Sequence, residues 1–119
     1  MTVSVDIWLR GTEDAATRTI EGLTREPKDW TDDDVRFVLE GMLREMAQLK
    51  QPGQEPRTIA LRGLSWIVNT YDEGGVVIAI EITLGAAIAG PFAVDKAALE
   101  AMITRVMAPP VAPPSSLVH

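Results

Sequence analysis

The sequence has no cysteine and a single histidine, His119, its last residue. Without cysteine there is no disulfide, thiolate metal site or thiol nucleophile. A histidine at the end of a Pro-rich segment has no packed second shell to fix its tautomer and is expected to play no catalytic or metal role. Ser-His-Asp hydrolysis, Cys-His chemistry, structural zinc and histidine-ligated iron all need residues that are missing. Catalysis is left with carboxylates, lysines, Tyr71 or a borrowed cofactor, and none of these forms a motif. No cofactor and no metal are expected.

Basic charge is also scarce. The 119 residues carry 11 Lys and Arg against 17 Asp and Glu, a net charge of −6. The excess is concentrated between positions 12 and 34, where Glu13, Asp14, Glu21, Glu26, Asp29, Asp32, Asp33 and Asp34 stand against Arg18, Arg25 and Lys28. Nucleic-acid binding normally uses a basic stripe to displace counterions from phosphates, so neither DNA nor RNA is an expected partner. A solvated acidic segment explains the block, and a basic protein is the one partner class it favours.

Long apolar runs are limited to Gly74–Val94, which contains one charge, Glu81. An acid near the centre of a membrane span costs about 2.5–3.5 kcal/mol. The stretch also alternates with period two and is rich in β-branched residues, so buried strands are expected and a membrane association is not. The opening MTVSVDIWLRG has no basic leader and alternates apolar with polar residues, which suggests a cytoplasmic protein.

The residues present describe one α+β domain over 1–108, followed by a Pro-rich tail, 109–119, expected to be extended and disordered. Val3, Val5, Ile7 and Leu9 alternate with Ser4, Asp6, Trp8 and Arg10, giving a half-buried first strand. Residues 12–29 suit a loop with a short helix capped by Thr12, although Thr17, Thr19 and Ile20 would also fit a strand. Thr31 and Asp34 make an approximate capping box, and Val35, Val38, Leu39, Met42, Met46 and Leu49 follow at helical spacing up to Pro52-Gly53. From Arg57 the period returns to two: Ile59 and Leu61 alternate, the phase slips at Gly63 as at a bulge, and Leu64, Trp66 and Val68 then point inward. The glycine-rich turn Tyr71–Gly75 joins this strand to Val76, Ile78, Ile80, Ile82 and Leu84 as a hairpin. Ala86–Ala89 continues that strand or forms a short fourth one. Asp95 caps a last helix with Ala98, Leu99, Met102, Ile103 and Val106 on its buried stripe. The expected fold is a two-layer sandwich, an antiparallel sheet of three to four strands with two helices on one face, ferredoxin-like if the fourth strand is complete.

Helices on one face leave the other open. That face would show Asp6, Trp8, Arg10, Ser65, Ile67, Asn69, Tyr71, Val77, Ala79, Glu81 and Thr83. A solvated sheet face is usually dominated by Thr, Lys, Glu and Arg, so this apolar mixture points to an interface. The candidate interface residues are Trp8, Arg10, Ile67, Asn69, Tyr71, Val77 and Glu81, with homodimerisation or another protein covering them. Coverage by residues 12–29 of the same chain and a ligand site are the competing readings. An active site on Glu81, Asp6, Arg10 and Tyr71 is the enzymatic one, in which Glu81 otherwise pairs with Arg10 or Arg62 across the sheet.

Three features resemble sites and are discounted. Asp32, Asp33 and Asp34 point about 100° apart on a helix and cannot converge on one cation. Gly85–Gly90 has the glycine spacing of a phosphate loop but lacks the following Lys and Ser/Thr. Two aromatics on a sheet with the wrong charge do not make an RNA platform. The sequence therefore predicts a non-catalytic protein-binding module of inhibitor, immunity-type or accessory-subunit kind that self-associates. A small-ligand-binding or isomerase-type enzyme with a pocket between subunits is the alternative.

Overall fold

Five strands and two helices follow in the order β1 (Val3–Leu9), β2 (Ala16–Ile20), α1 (Asp32–Lys50), β3 (Ser65–Thr70), β4 (Val76–Ile82), β5 (Gly85–Phe92) and α2 (Lys96–Met107). The computed structural model describes residues 1–53 and 60–108. The strands form one sheet of spatial order β2-β1-β5-β4-β3, and every neighbouring pair is antiparallel. Both helices lie on one side of it: α1 packs over β1, β2 and β5, and α2 packs beside α1 and over β3.

The two-layer α+β arrangement is thus as expected, with five strands in place of three to four. The element order is β-β-α-β-β-β-α, which differs from the ferredoxin-like β-α-β-β-α-β order. The fifth strand comes from residues 12–29, where a loop and short helix were expected. Thr17, Arg18 and Thr19 take their strand preference instead, and Ala16–Ile20 pairs with Val3–Ile7 as a hairpin. A 3₁₀ turn at Pro27–Asp29 then leads to α1.

Alternation sets which face each strand buries. Val3, Val5 and Ile7 are buried while Ser4, Asp6 and Trp8 are exposed, and Ile78 and Ile80 are buried on the same side. Each fully buried aliphatic side chain stabilises by roughly 1.5–3 kcal/mol. The central strand β5 contributes Ala87 and Ala89 to this layer, with Phe92 at its end, and the two small residues leave room for α1 to cross it. Trp30 closes one end of the core, its ring edge-on to Phe92 at 4.9 Å between centroids and its Nε1 donating to the Arg25 carbonyl at 2.9 Å.

Both helix caps are as read from the sequence. Thr31 and Asp34 form a complete capping box, and the Asp95 carboxylate accepts from the Ala98 amide at 3.0 Å. Gly41 and Leu43 join the buried face of α1, and Ala98 of α2 is exposed where burial was expected. The break at Gly63 is not a bulge: residues 60–64 precede β3 as non-strand backbone, with Gly63 at φ +64°. The irregularity of the sheet lies instead between Val76 and Ile78, opposite the Gly90-Pro91 stretch of β5, which continues to Phe92 rather than ending there. Ile59, the tail 109–119 and His119 fall outside the described residues. Gly74–Val94 forms β4 and β5, and no helix among the described residues is long and apolar enough to cross a membrane.

Candidate interaction surface

The strand register arranges the open face in rows. Ile67 lies opposite Ala79, Ala79 opposite Ile88, Ile88 opposite Asp6, and Asp6 opposite Thr17. The next row runs Ser65, Glu81, Ala86, Trp8. Side chains directly opposite on one face stand about 5 Å apart, so Ile67, Ala79 and Ile88 make one apolar strip across β3, β4 and β5. Asn69 and Val77 extend it toward the β3–β4 turn. No element among the described residues lies over this side, and residues 12–29 widen the sheet instead of covering it. Ile67 is 52% exposed and Trp8 38%.

Between the rows is an open depression of about 300 Å³, lined by Ser65, Ile67, Ala79, Glu81, Ala86 and Ile88 together with backbone of the intervening residues. Glu81 is the only ionisable group among the described residues that line it. The glutamate is exposed, and among the described residues it has no ion-pair partner. The expected pairing with Arg10 or Arg62 is absent. Arg10 lies past the end of β1, where its backbone N–H donates to the Leu84 carbonyl at 2.7 Å and its Nε to the Thr83 carbonyl at 3.1 Å. It secures the β4–β5 turn. Tyr71, 44% exposed, sits in the β3–β4 turn, its N–H bonded to the Gly75 carbonyl.

Of the seven interface residues read from the sequence, Trp8, Ile67, Asn69, Val77 and Glu81 share the open face, while Arg10 and Tyr71 lie at its opposite ends. Six residue steps of β4 separate the two turns, about 20 Å at 3.4 Å per residue. Asp6 accepts from Thr17 Oγ1 at 2.7 Å, one row away from Glu81. Glu81, Asp6, Arg10 and Tyr71 therefore do not converge on one reacting atom. The sequence reading missed Ala86 and Ile88, which place β5 at the centre of the strip. Their only signal was the alternation Ala86-Ala87-Ile88-Ala89, in which alanine gives little contrast between faces.

The start of α1 carries two ion pairs. Arg105 binds Asp32 through Nε to Oδ2 at 2.8 Å and Nη2 to Oδ1 at 2.9 Å, tying α2 to α1, and this hydrogen-bonded guanidinium lowers the Asp32 carboxyl below its ordinary value. Asp34 is lowered too, first by the Thr31 backbone N–H and then by Arg25. Asp32 and Asp34, two positions apart at the helix start, thus serve different partners, as their angular spacing dictates. Among the described residues no group of three or more His, Cys, Asp or Glu side chains is placed to hold a metal ion. Comparison with protein-family models, with curated proteins and with solved structures found no match to this chain.

Proposed function

We propose that this chain is a non-catalytic protein-binding module that self-associates through the open face of its sheet. The observation that carries this reading is the strip Ile67–Ala79–Ile88 with Trp8 beside it, an apolar surface on a regular sheet with a single charge, Glu81, in its central depression. Water gains nothing from contact with such a surface, and a second sheet packed about 10 Å away would remove it from solvent. The module is of inhibitor, immunity-type or accessory-subunit kind, and the acidic stretch 12–34, exposed along β2 and the start of α1, suits a basic second partner. Nucleic acid and membrane are not proposed as partners. A cytoplasmic setting goes with this reading.

The test is light scattering on a sizing column with the Trp8→Glu variant. Trp8 points away from the core, so the variant should fold and lose the face-to-face dimer that the parent forms. An unchanged mass for the variant assigns the interface elsewhere. The alternative, a small-ligand-binding or isomerase-type enzyme with its pocket between subunits, has one observation in its favour: Glu81 is a carboxylate in an apolar depression, without an ion-pair partner among the described residues. A thermal-shift screen tests it, since a ligand at 100 times its Kd stabilises by about 2.7 kcal/mol.

A further inference from the structure

In an antiparallel ladder the backbone groups of alternate residues point to opposite neighbours. The Tyr71 N–H bonds the Gly75 carbonyl, and the register from Ser65↔Glu81 to Thr70↔Val76 has no slip, so odd-numbered residues of β3 direct their N–H and C=O groups toward β4. The N–H and C=O groups of Trp66, Val68 and Thr70 then point away from the sheet, because β3 is an edge strand. Among the described residues none of them has a hydrogen-bond partner.

The two edges of the sheet differ in their protection. On β2 the outward groups belong to Thr17 and Thr19, and Glu13, Asp14, Arg18 and Glu21 surround them with charge. On β3 no charged residue occurs between Arg62 and Asp72, and no proline or bulge interrupts the strand. Charges, prolines and bulges are the usual means of keeping an edge from pairing. The β3 edge has none of them.

We propose that the β3 edge docks β3 of a second copy of this chain, the strands running antiparallel about a two-fold axis at Val68. This register is self-complementary. Val68 faces its own counterpart and Trp66 faces Thr70 of the second copy, so the outward groups of all three residues are satisfied, and Ile67 faces Asn69 with no charge opposed to a like charge. An axis perpendicular to the sheet keeps the helices of both copies on one side and merges the two open faces into one surface. The inference is independent of the proposed face-to-face contact, because that contact would leave the β3 edge unpaired.

Amide hydrogen exchange distinguishes the two. The amides of Ile67 and Asn69 bond to β4 and should be protected at every concentration. Those of Trp66, Val68 and Thr70 should exchange freely in dilute solution and slow by about tenfold or more as the dimer populates. Thr70→Pro removes one outward donor at an edge position that tolerates proline, and it should abolish the concentration-dependent slowing while leaving the inward amides protected. Should that variant fail to fold, exchange in the unsubstituted chain still decides. Free exchange of Trp66, Val68 and Thr70 at concentrations where light scattering shows a dimer overturns the edge pairing and leaves the face reading standing. Protection of these amides at all dilutions, or a monomer up to about millimolar concentration, also overturns it.

Discussion

Ile67 and Ile88 stand on the same side of the sheet with Ala79 between them, one residue from each of three adjacent strands. The methyl of Ala79 is too short to separate the two isoleucines from a partner surface, so all three present one apolar contact area. Because Ile67 is 52% exposed in the single chain, Ile67→Ser should change monomer stability by no more than about 0.5 kcal/mol. The same substitution should weaken self-association by about 1 kcal/mol or more. Chemical denaturation of dilute protein and sedimentation of concentrated protein measure the two effects separately.

Among the glycines, the one that opens β5 has the least room for a side chain. Gly85 has φ +153°, and a Cβ built there would run into the Trp8 carbonyl oxygen of β1. Backbone in a paired strand cannot rotate away as a side chain can. Gly85→Ala should therefore destabilise by about 3 kcal/mol, combining strain with overpacking. Denaturant midpoints of the two proteins give the difference.

The parts of the fold carried by a single strong pattern were legible in the sequence. Val3, Val5 and Ile7 of β1 alternate with Ser4 and Asp6, Ile78, Ile80 and Ile82 of β4 alternate with Ala79 and Glu81, and both helices announce their caps through Thr31 and Asp95. Residues 12–29 were not legible because Ala16, Thr17, Arg18, Thr19 and Ile20 carry one large apolar residue among five, too little for periodicity, and only pairing with β1 decides their conformation. β5 was obscured for a different reason: its inward Ala87 and Ala89 and outward Ala86 are the same residue type, so the pattern that names a face is silent. Most of the open face could be derived from β1, β3 and β4 alone. Its centre on β5 could not, nor could the placement of Arg10 and Tyr71 in turns, since alternation counted past a strand end assigns faces that no longer exist.

The capping box gives a local test of helix stability. Thr31 accepts from the Asp34 amide through Oγ1 at 3.4 Å, and its own N–H donates to Asp34 Oδ2 at 2.9 Å. Thr31→Ala removes the side-chain acceptor and leaves the backbone donor, so a loss of about 1 kcal/mol is expected. The shift in Tm measures it, with Thr31→Ser retaining most of the stability.

Acid should weaken the fold with a definite sign. Asp32 and Asp34 are both held below the ordinary Asp value, Asp32 by Arg105 and Asp34 by the Thr31 N–H and Arg25. Groups with a lowered folded pKa stabilise fully above their unfolded value, about 3.9, and lose that contribution as pH falls through the folded one. Tm should hence fall as pH drops below about 5 and go on falling below 4. In Arg105→Ala the Asp32 part is gone, so the gap in Tm between parent and variant should narrow as pH falls from 7 to about 2.5. The pair is exposed, with side-chain accessibilities of 58% and 43%, so the gap at pH 7 should be small and should shrink in high salt.

The central claim is that the sheet's uncovered side is where this protein meets its own kind. Multi-angle light scattering of Thr70→Pro, in which the β3 edge cannot pair, and of Trp8→Glu in that same background, each over a concentration series, tests it most directly. The account predicts a mass that climbs from one chain, about 12.9 kDa, to two for Thr70→Pro and stays at one chain for the double variant. A Thr70→Pro protein that remains at one chain throughout, or a double variant that dimerises as readily, would contradict it.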